Sequence, residues 1–284
     1  MQARVLPRPI GSTRARTRRA SDRCARIVDT EKGRSVDQKV TDLTHVIREG
    51  MAGHPTHGRT PIKIVGSLNH WAYAHTERRN DYDGTRVSFQ NEQWVMNGNT
   101  GTHMDAPWHA NPDTKFSAER IPLEYGFGSA VWLDCAADAE PRGTITPAAL
   151  ERAEQAAGET IGVGDIVLVH TGWSRFAQSD PEVYLREHPG LSKESGEWLR
   201  ARGIRTLGVD LATPETLNGA LSAPIHTNFL RPEALGLAPA DFIGIIENLV
   251  GIDRIPAHRF QFVGVPLPLE GSSASPIRAL ALTD

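Results

Sequence analysis

Short apolar runs ending in a polar residue punctuate the chain from residue 130 onward. They are Ala130-Val-Trp-Leu-Asp134, Ile166-Val-Leu-Val-His170, Thr206-Leu-Gly-Val-Asp210 and Phe242-Ile-Gly-Ile-Ile-Glu247. Each has the length and β-branched content of a strand buried on both faces, and Phe260-Gln-Phe-Val-Gly-Val265 predicts another. Helix signals stand between them. Thr146 can cap a helix with Pro147 at its first position, apolar Leu150, Ala153 and Ala157 on its face, and Gly158 as its stop. Ser192 can cap a second, with Trp198 and Leu199 apolar and Gly203 closing it. Strands alternating with helices predict an α/β fold. Their spacing is too irregular, and the front half too strand-rich, for a regular eightfold barrel. No repeat or long linker divides residues 38–284, which are expected to form one domain.

Composition changes the picture only at the N-terminus. Residues 1–36 carry ten Lys/Arg against Asp22, Asp29 and Glu31, a balance of +7, so the remainder stands at −10 when the whole chain is −3. This stretch lacks apolar periodicity and cannot offset its own ordering entropy, so residues 1–37 are expected to be a disordered basic extension. A solvated tail or an over-extended start is the plainest account. A transit peptide or a nonspecific nucleic-acid arm is the alternative, and the stretch lacks the apolar core of a secretory signal. No run of 18 apolar residues exists, so no membrane span is expected. Cys24 in the extension and Cys135 after an apolar run make an intrachain disulfide improbable, which fits a reduced cytoplasm.

The chemistry concentrates in Asn99-Thr-Gly-Thr-His103-Met-Asp105-Ala-Pro-Trp-His109. In an extended segment odd positions from 99 to 109 point one way, so His103 and Asp105 converge as two ligands of one ion. Pro107 denies the stretch a regular helix and holds Ala106 extended, and Gly101 permits close backbone approach before the ligands. Imidazole nitrogen with carboxylate oxygen suits Zn²⁺, Mn²⁺ or Fe²⁺, and the lack of a Cys cluster argues against a structural zinc. Read from these residues alone, metal binding and an ordinary surface loop are both open. Asp134, His170 and Asp210 end strands where α/β proteins build sites, but also where strands simply meet water, and are not expected to be ligands.

The same string resembles the signature His-x-Gly-Thr-His-x-Asp-x-Pro-x-His of the cyclase-family metal hydrolases, which include bacterial kynurenine formamidases and isatin hydrolases. Every fixed position matches except the first, where Asn99 stands for His. Further landmarks follow in the family's order over roughly residues 40–282: Asp42-Leu-Thr-His45, Gly50-Met51, His170-Thr-Gly-Trp173, Pro189-Gly-Leu-Ser192, Gly208-Val-Asp210, His226, Glu247-Asn-Leu249 and Ser275-Pro-Ile-Arg278. The resemblance implies a swivelling β/β/α fold, a β-barrel-like mixed core flanked by helices. It implies metal ligands at His103, Asp105, His226 and Glu247, with Asn99 beside them, and proton transfer by His109. An amide oxygen is a poorer zinc ligand than imidazole, though acceptable to manganese. One Zn or Mn ion at His103, Asp105 and Glu247 is therefore expected, with a second at Asp105, His226 and Glu247 left open. Arg231 to Ala240 reads as an insertion between His226 and Glu247. For Glu247 the alternative is a salt bridge to an arginine; for His109 it is metal ligation. Trp71, Tyr73, Trp94, Trp108 and Trp173 are candidates for an aromatic cleft. His54 and His57 stand where the short formamidases place a substrate-contacting Trp.

The implied activity is metal-dependent hydrolysis of a small cyclic or acyl amide, or a lactone. A divalent ion lowers the pKa of water to about 7, and an imidazole suits protonation of the leaving group. A cyclase or dehydratase of a polyketide-like intermediate would use the same residues with the ion as Lewis acid. A non-catalytic binding protein on a degraded hydrolase fold is the remaining alternative, with Asn99 its only support. The expected partners are a small-molecule substrate and further copies of the chain, as homodimer or homotetramer, with no specific nucleic acid and no membrane.

Overall fold

The computed structural model describes residues 24–28, 35–51, 53, 62–65, 89–216 and 223–284. The fold is mixed α/β. Its frame is a sheet built from β1 (Cys24–Val28), β2 (Ser35–Asp42), β5 (His103–Asp105), β6 (Phe127–Asp134), β8 (Ile166–His170), β10 (Thr206–Val209), β11 (Gly244–Glu247), β12 (Arg259–Val263), β13 (Ala274–Pro276) and β14 (Leu280–Thr283). Their order across it is β1-β2-β14-β12-β6-β8-β10-β11-β5-β13. Two small sheets pair β3 (Ile62–Val65) with β4 (Glu92–Val95), and β7 (Thr144–Ile145) with β9 (Gly190–Leu191).

The centre of the large sheet consists of β6, β8, β10 and β11 in parallel, and these are the four apolar runs. Parallel strands need a crossover between them. The helices Pro147–Ala157, Lys193–Ala201 and Pro224–Leu230 lie in the three connections. Caps fix the first two where expected: Thr146 accepts from the Ala149 amide and Ser192 from the Ser195 amide. Gly158 closes the first helix in the left-handed conformation, at φ 65°. The third helix buries Ile225, His226, Asn228, Phe229 and Leu230, and so shows no amphipathic stripe to read. Leu133, Val167, Val169, Leu207, Val209 and Ile245 are fully buried and form the middle of the core. Each contributes about 1.5–3 kcal/mol over an exposed position.

One expectation changes. The extended alternation proposed for 99–109 holds only at β5. Pro107 opens a 3₁₀ turn over Pro107–His109, because its fixed φ suits a first helical position as well as a strand. At the N-terminal side β1 pairs antiparallel with β2 over Ser35–Lys39, and β14 pairs with β2 over Lys39–Asp42. Residues 1–23, His54, His57, Trp71 and Tyr73 lie outside the described residues. Among the described residues no helix is long and apolar enough to cross a membrane.

Candidate metal centre

Sheet register assembles the site. β11 runs antiparallel to β5, with Glu247 opposite His103 and Ile245 opposite Asp105. Alternation turns His103, Asp105 and Glu247 to one face, while Met104 is buried on the other. One ligand atom from each of these three residues lies within 4.8 Å of the others. Gly101, at φ 65°, makes the turn into β5. A Cβ there would meet Ile47 at 3.3 Å, and its carbonyl accepts from His103 Nδ1 at 2.8 Å. That bond fixes His103 Nε2 toward the carboxylates, 3.3 Å from Glu247 and 3.5 Å from Asp105.

His226 arrives from the first turn of the Pro224–Leu230 helix. Its Nε2 lies 3.5 Å from Asp105 Oδ2 and 3.4 Å from Glu247 Oε1. Glu215, which no sequence signal marks, holds it from behind. The Glu215 carboxylate takes the His226 amide at 2.8 Å and His226 Nδ1 at 2.8 Å, and Thr213 donates to it at 2.7 Å. Glu215 is itself held by a bridge to Leu191, beside Gly190, where a Cβ would fall 2.1 Å from the Glu215 backbone. His109 reaches the site through the 3₁₀ turn, its amide bonded to the Ala106 carbonyl. Its Nδ1 is 3.9 Å from Asp105 Oδ1 and its ring centroid 5.5 Å from that of His226. His109 is 20% exposed where Asp105 is fully buried, so it stands at the mouth. Asn99 directs Nδ2 to Asp105 Oδ1 at 2.9 Å.

Burial and charge explain the electrostatics. Burial pushes the Asp105 carboxyl up, and the three imidazoles of His109, His103 and His226 outweigh it and hold the pKa well below the usual range. Burial raises Glu247, with Asp105 beside it adding to the rise. Burial pushes His103 down, but Asp105 and Glu247 prevail and lift it to about 9. The Glu215 carboxyl is drawn down to about 2, against its burial, by His226. Two buried carboxylates side by side are costly unless a cation neutralises them. Asp105 Oδ2 and Glu247 Oε1 are buried without a hydrogen-bond partner. This donor set fits a divalent ion.

The expected alternatives resolve differently. Among the described residues Glu247 has its ion pairs with His103 and His226, not an arginine. Asp210 is fully buried and spends its oxygens on the Thr171 amide and hydroxyl and the Gly172 amide; His170 pairs with Asp134 at 3.1 Å. Trp173 is core, packed edge-on to Phe176, and Trp94 is exposed beneath Lys63. The segment from Arg231 to Ala240 folds into 3₁₀ turns at Pro232–Leu235 and Pro239–Asp241.

A family model described as putative cyclase matches residues 41–216. The isatin hydrolase of Roseibium aggregatum is 27% identical over 216 residues, which cover 71% of this chain and 78% of that protein. The kynurenine formamidase of Bacillus cereus is 27% identical over 188 residues, covering 66% and 77%. Among solved structures, isatin hydrolase A from Labrenzia aggregata bound to benzyl benzoate gives a TM-score of 0.69 at 22% identity, over 87% of this chain and 94% of that one. A potential metal-dependent hydrolase with cyclase activity gives 0.61 at 24%, over 87% and 100%. These structural likenesses bear on the fold.

Proposed function

The chain belongs to the putative cyclase family, and on that premise we propose that it is a metal-dependent hydrolase of a C–N bond in a small cyclic or acyl amide. The observation that carries this is the convergence of Asp105 and Glu247, both buried, with the ring nitrogens of His103 and His226. Those four side chains would hold the ion. Imidazole and carboxylate together suit Mn²⁺ or Zn²⁺. When bound, the ion supplies a Lewis acid for the substrate carbonyl and makes water nucleophilic near neutral pH. Glu215 keeps His226 in one tautomer and one orientation. His109, at the mouth, is placed to pass a proton to the departing nitrogen.

The relatives named for isatin hydrolysis and kynurenine formamide hydrolysis support the substrate class: a lactam or formyl anilide on an aromatic ring. A buried free Cys135 supports a reducing, cytoplasmic setting. The experiment is a screen of manganese- or zinc-loaded protein against formyl anilides, isatin-like lactams and aryl lactones. Turnover of an amide, lost on chelation and restored by the ion, is expected. Turnover confined to lactones would overturn the C–N assignment.

A further inference from the structure

His109 owes its place to a single turn. The Pro107–His109 segment is closed by the His109 amide on the Ala106 carbonyl at 2.8 Å and the Asn111 amide on the Pro107 carbonyl at 2.9 Å. A 3₁₀ turn that short has little stability of its own and takes its position from what it is tied to. At its base the Trp108 amide donates to the Phe116 carbonyl at 3.1 Å, and the Phe116 ring packs against Phe242 with centroids 5.3 Å apart. At its far end the tie is Asn111, a buried residue. Its amide nitrogen donates to Glu233 Oε2 at 3.2 Å and its amide oxygen accepts from the Asp113 amide at 3.1 Å. An ionised carboxylate only accepts and a backbone amide only donates, so one orientation of the Asn111 side chain serves both.

Glu233 belongs to the other imidazole at the mouth. It lies in the Pro232–Leu235 turn that directly follows the helix carrying His226, at the start of the segment whose sequence reads as an insertion. Pro232 is buried, and the Gly236 amide closes the turn on the Glu233 carbonyl at 3.0 Å. The Asn111–Glu233 bond therefore joins the turn of His109 to the helix of His226, whose rings stand 5.5 Å apart. Arg231 and Asp113 join the same two segments at 3.5 Å, but Asp113 is exposed and such a pair contributes little. Loss of the Glu233 carboxylate is different, because it leaves the Asn111 donor buried and unpaired, a cost the loop relieves by moving.

We propose that Glu233 and Asn111 are positioning residues for His109, a strut that holds its imidazole within reach of the departing nitrogen. The proposal rests on the hydrolase reading above, with His109 as its proton carrier. In that reaction the attacking water gives a proton to His109. As the C–N bond breaks, its electron pair goes to nitrogen, which takes the proton from His109 and leaves as the amine. Displacement of the donor by about 1 Å is enough to slow such a step by up to roughly 10²-fold.

The test compares leaving groups. Manganese-loaded wild type and variants are assayed on a formyl anilide, whose nitrogen needs a proton to leave, and on 4-nitrophenyl formate, whose phenolate leaves without one. Circular dichroism and elemental analysis check that each variant is folded and carries the wild-type amount of metal. Glu233→Ala should lower kcat for the anilide by roughly 10–100-fold with KM near its wild-type value, and lower that for the ester by about threefold or less. Glu233→Gln keeps an accepting oxygen and should hold the anilide rate within about threefold of wild type. Asp113→Ala removes only the exposed pair and should do the same. In a His109→Ala background, Glu233→Ala should add no further loss, since nothing is left to position. In metal-free protein, hydrogen exchange at the His109 and Asn111 amides should quicken in Glu233→Ala and not in Glu233→Gln. Equal losses on anilide and ester, loss of metal in Glu233→Ala, no rescue by glutamine, an equal fall in Asp113→Ala, a full further loss in the double variant, or unchanged exchange would each overturn the proposal. A wild type inert toward both substrates would overturn the hydrolase reading itself, an outcome separate from any difference among the variants.

Discussion

His109 and Glu215 act on the same site from opposite sides, and substitution separates their roles. His109→Ala should lower turnover by roughly 10²–10⁴-fold while metal content stays at the wild-type value, because the residue stands at the mouth as a proton carrier. Loss of metal together with activity would make it a ligand. Glu215→Ala removes the carboxylate that fixes His226, so metal affinity measured by competition with a chromogenic chelator should fall by about 10–100-fold; unchanged affinity would reduce Glu215 to a structural buttress. His45 gives the fold a pH dependence. Burial first, and Arg48 second, push it down to about 4 from 6.5. A lowered imidazole favours folding while neutral, so its contribution is complete above about pH 6.5 and is lost as pH falls through about 4. The span corresponds to a few kcal/mol at most. Urea melts of the wild type and His45→Gln across pH 7 to 4 should show the wild type losing the more stability, and parallel curves would contradict this.

At the scale of elements, the bracket around the ligands is made by residues next to them. Asn248, directly after Glu247, sits at φ 57°, a left-handed conformation that strains most side chains. Its carbonyl accepts from Thr102, directly before His103, and its side-chain oxygen accepts from Tyr184 at 2.8 Å. Thr102 also takes the His45 amide at 2.9 Å. Asn248→Ala should therefore cost about 1–2 kcal/mol of stability and weaken metal retention. Asn248→Gly should keep more of the stability, since glycine accepts the conformation; equal loss in both would locate the effect in the side-chain bond to Tyr184. Away from the site, Thr146→Ala should cost about 1 kcal/mol through the lost cap and leave turnover unchanged.

The elements most legible in the sequence share a physical cause. β6, β8, β10 and β11 are parallel strands buried on both faces, so they read as uninterrupted apolar runs, and Thr146 and Ser192 are caps whose chemistry is local. The i, i+2 approach of His103 and Asp105 is likewise a local property of a strand. What joins them to Glu247 is a register across some 140 residues, which no window of sequence contains. Glu215 is a single acid in a polar loop and became visible only through its bonds to His226. His109 and Asn99 reach the centre on the side alternation gives them, but by turns at either end of a three-residue strand rather than by extended backbone.

At the scale of the whole molecule, one sheet with helices in its three crossovers carries the site. Its parallel strands supply Glu247 and an antiparallel neighbour supplies His103 and Asp105. An ion at the centre binds the folded chain and not the unfolded one, so removing it should lower the melting temperature, and restoring Mn²⁺ or Zn²⁺ should recover it in a concentration-dependent way. A melting temperature indifferent to chelation would mean that Asp105 and Glu247 are neutralised by protons and imidazoles alone. The most direct test of the central claim is the fate of water in the reaction. Metal-loaded protein is given an isatin-like lactam or a formyl anilide in ¹⁸O-water, and the products are weighed by mass spectrometry beside a chelated control. Gain of one labelled oxygen at the opened C–N bond, absent after chelation, is the predicted result. A product lighter by one water, or labelled product formed equally well without the ion, would contradict it.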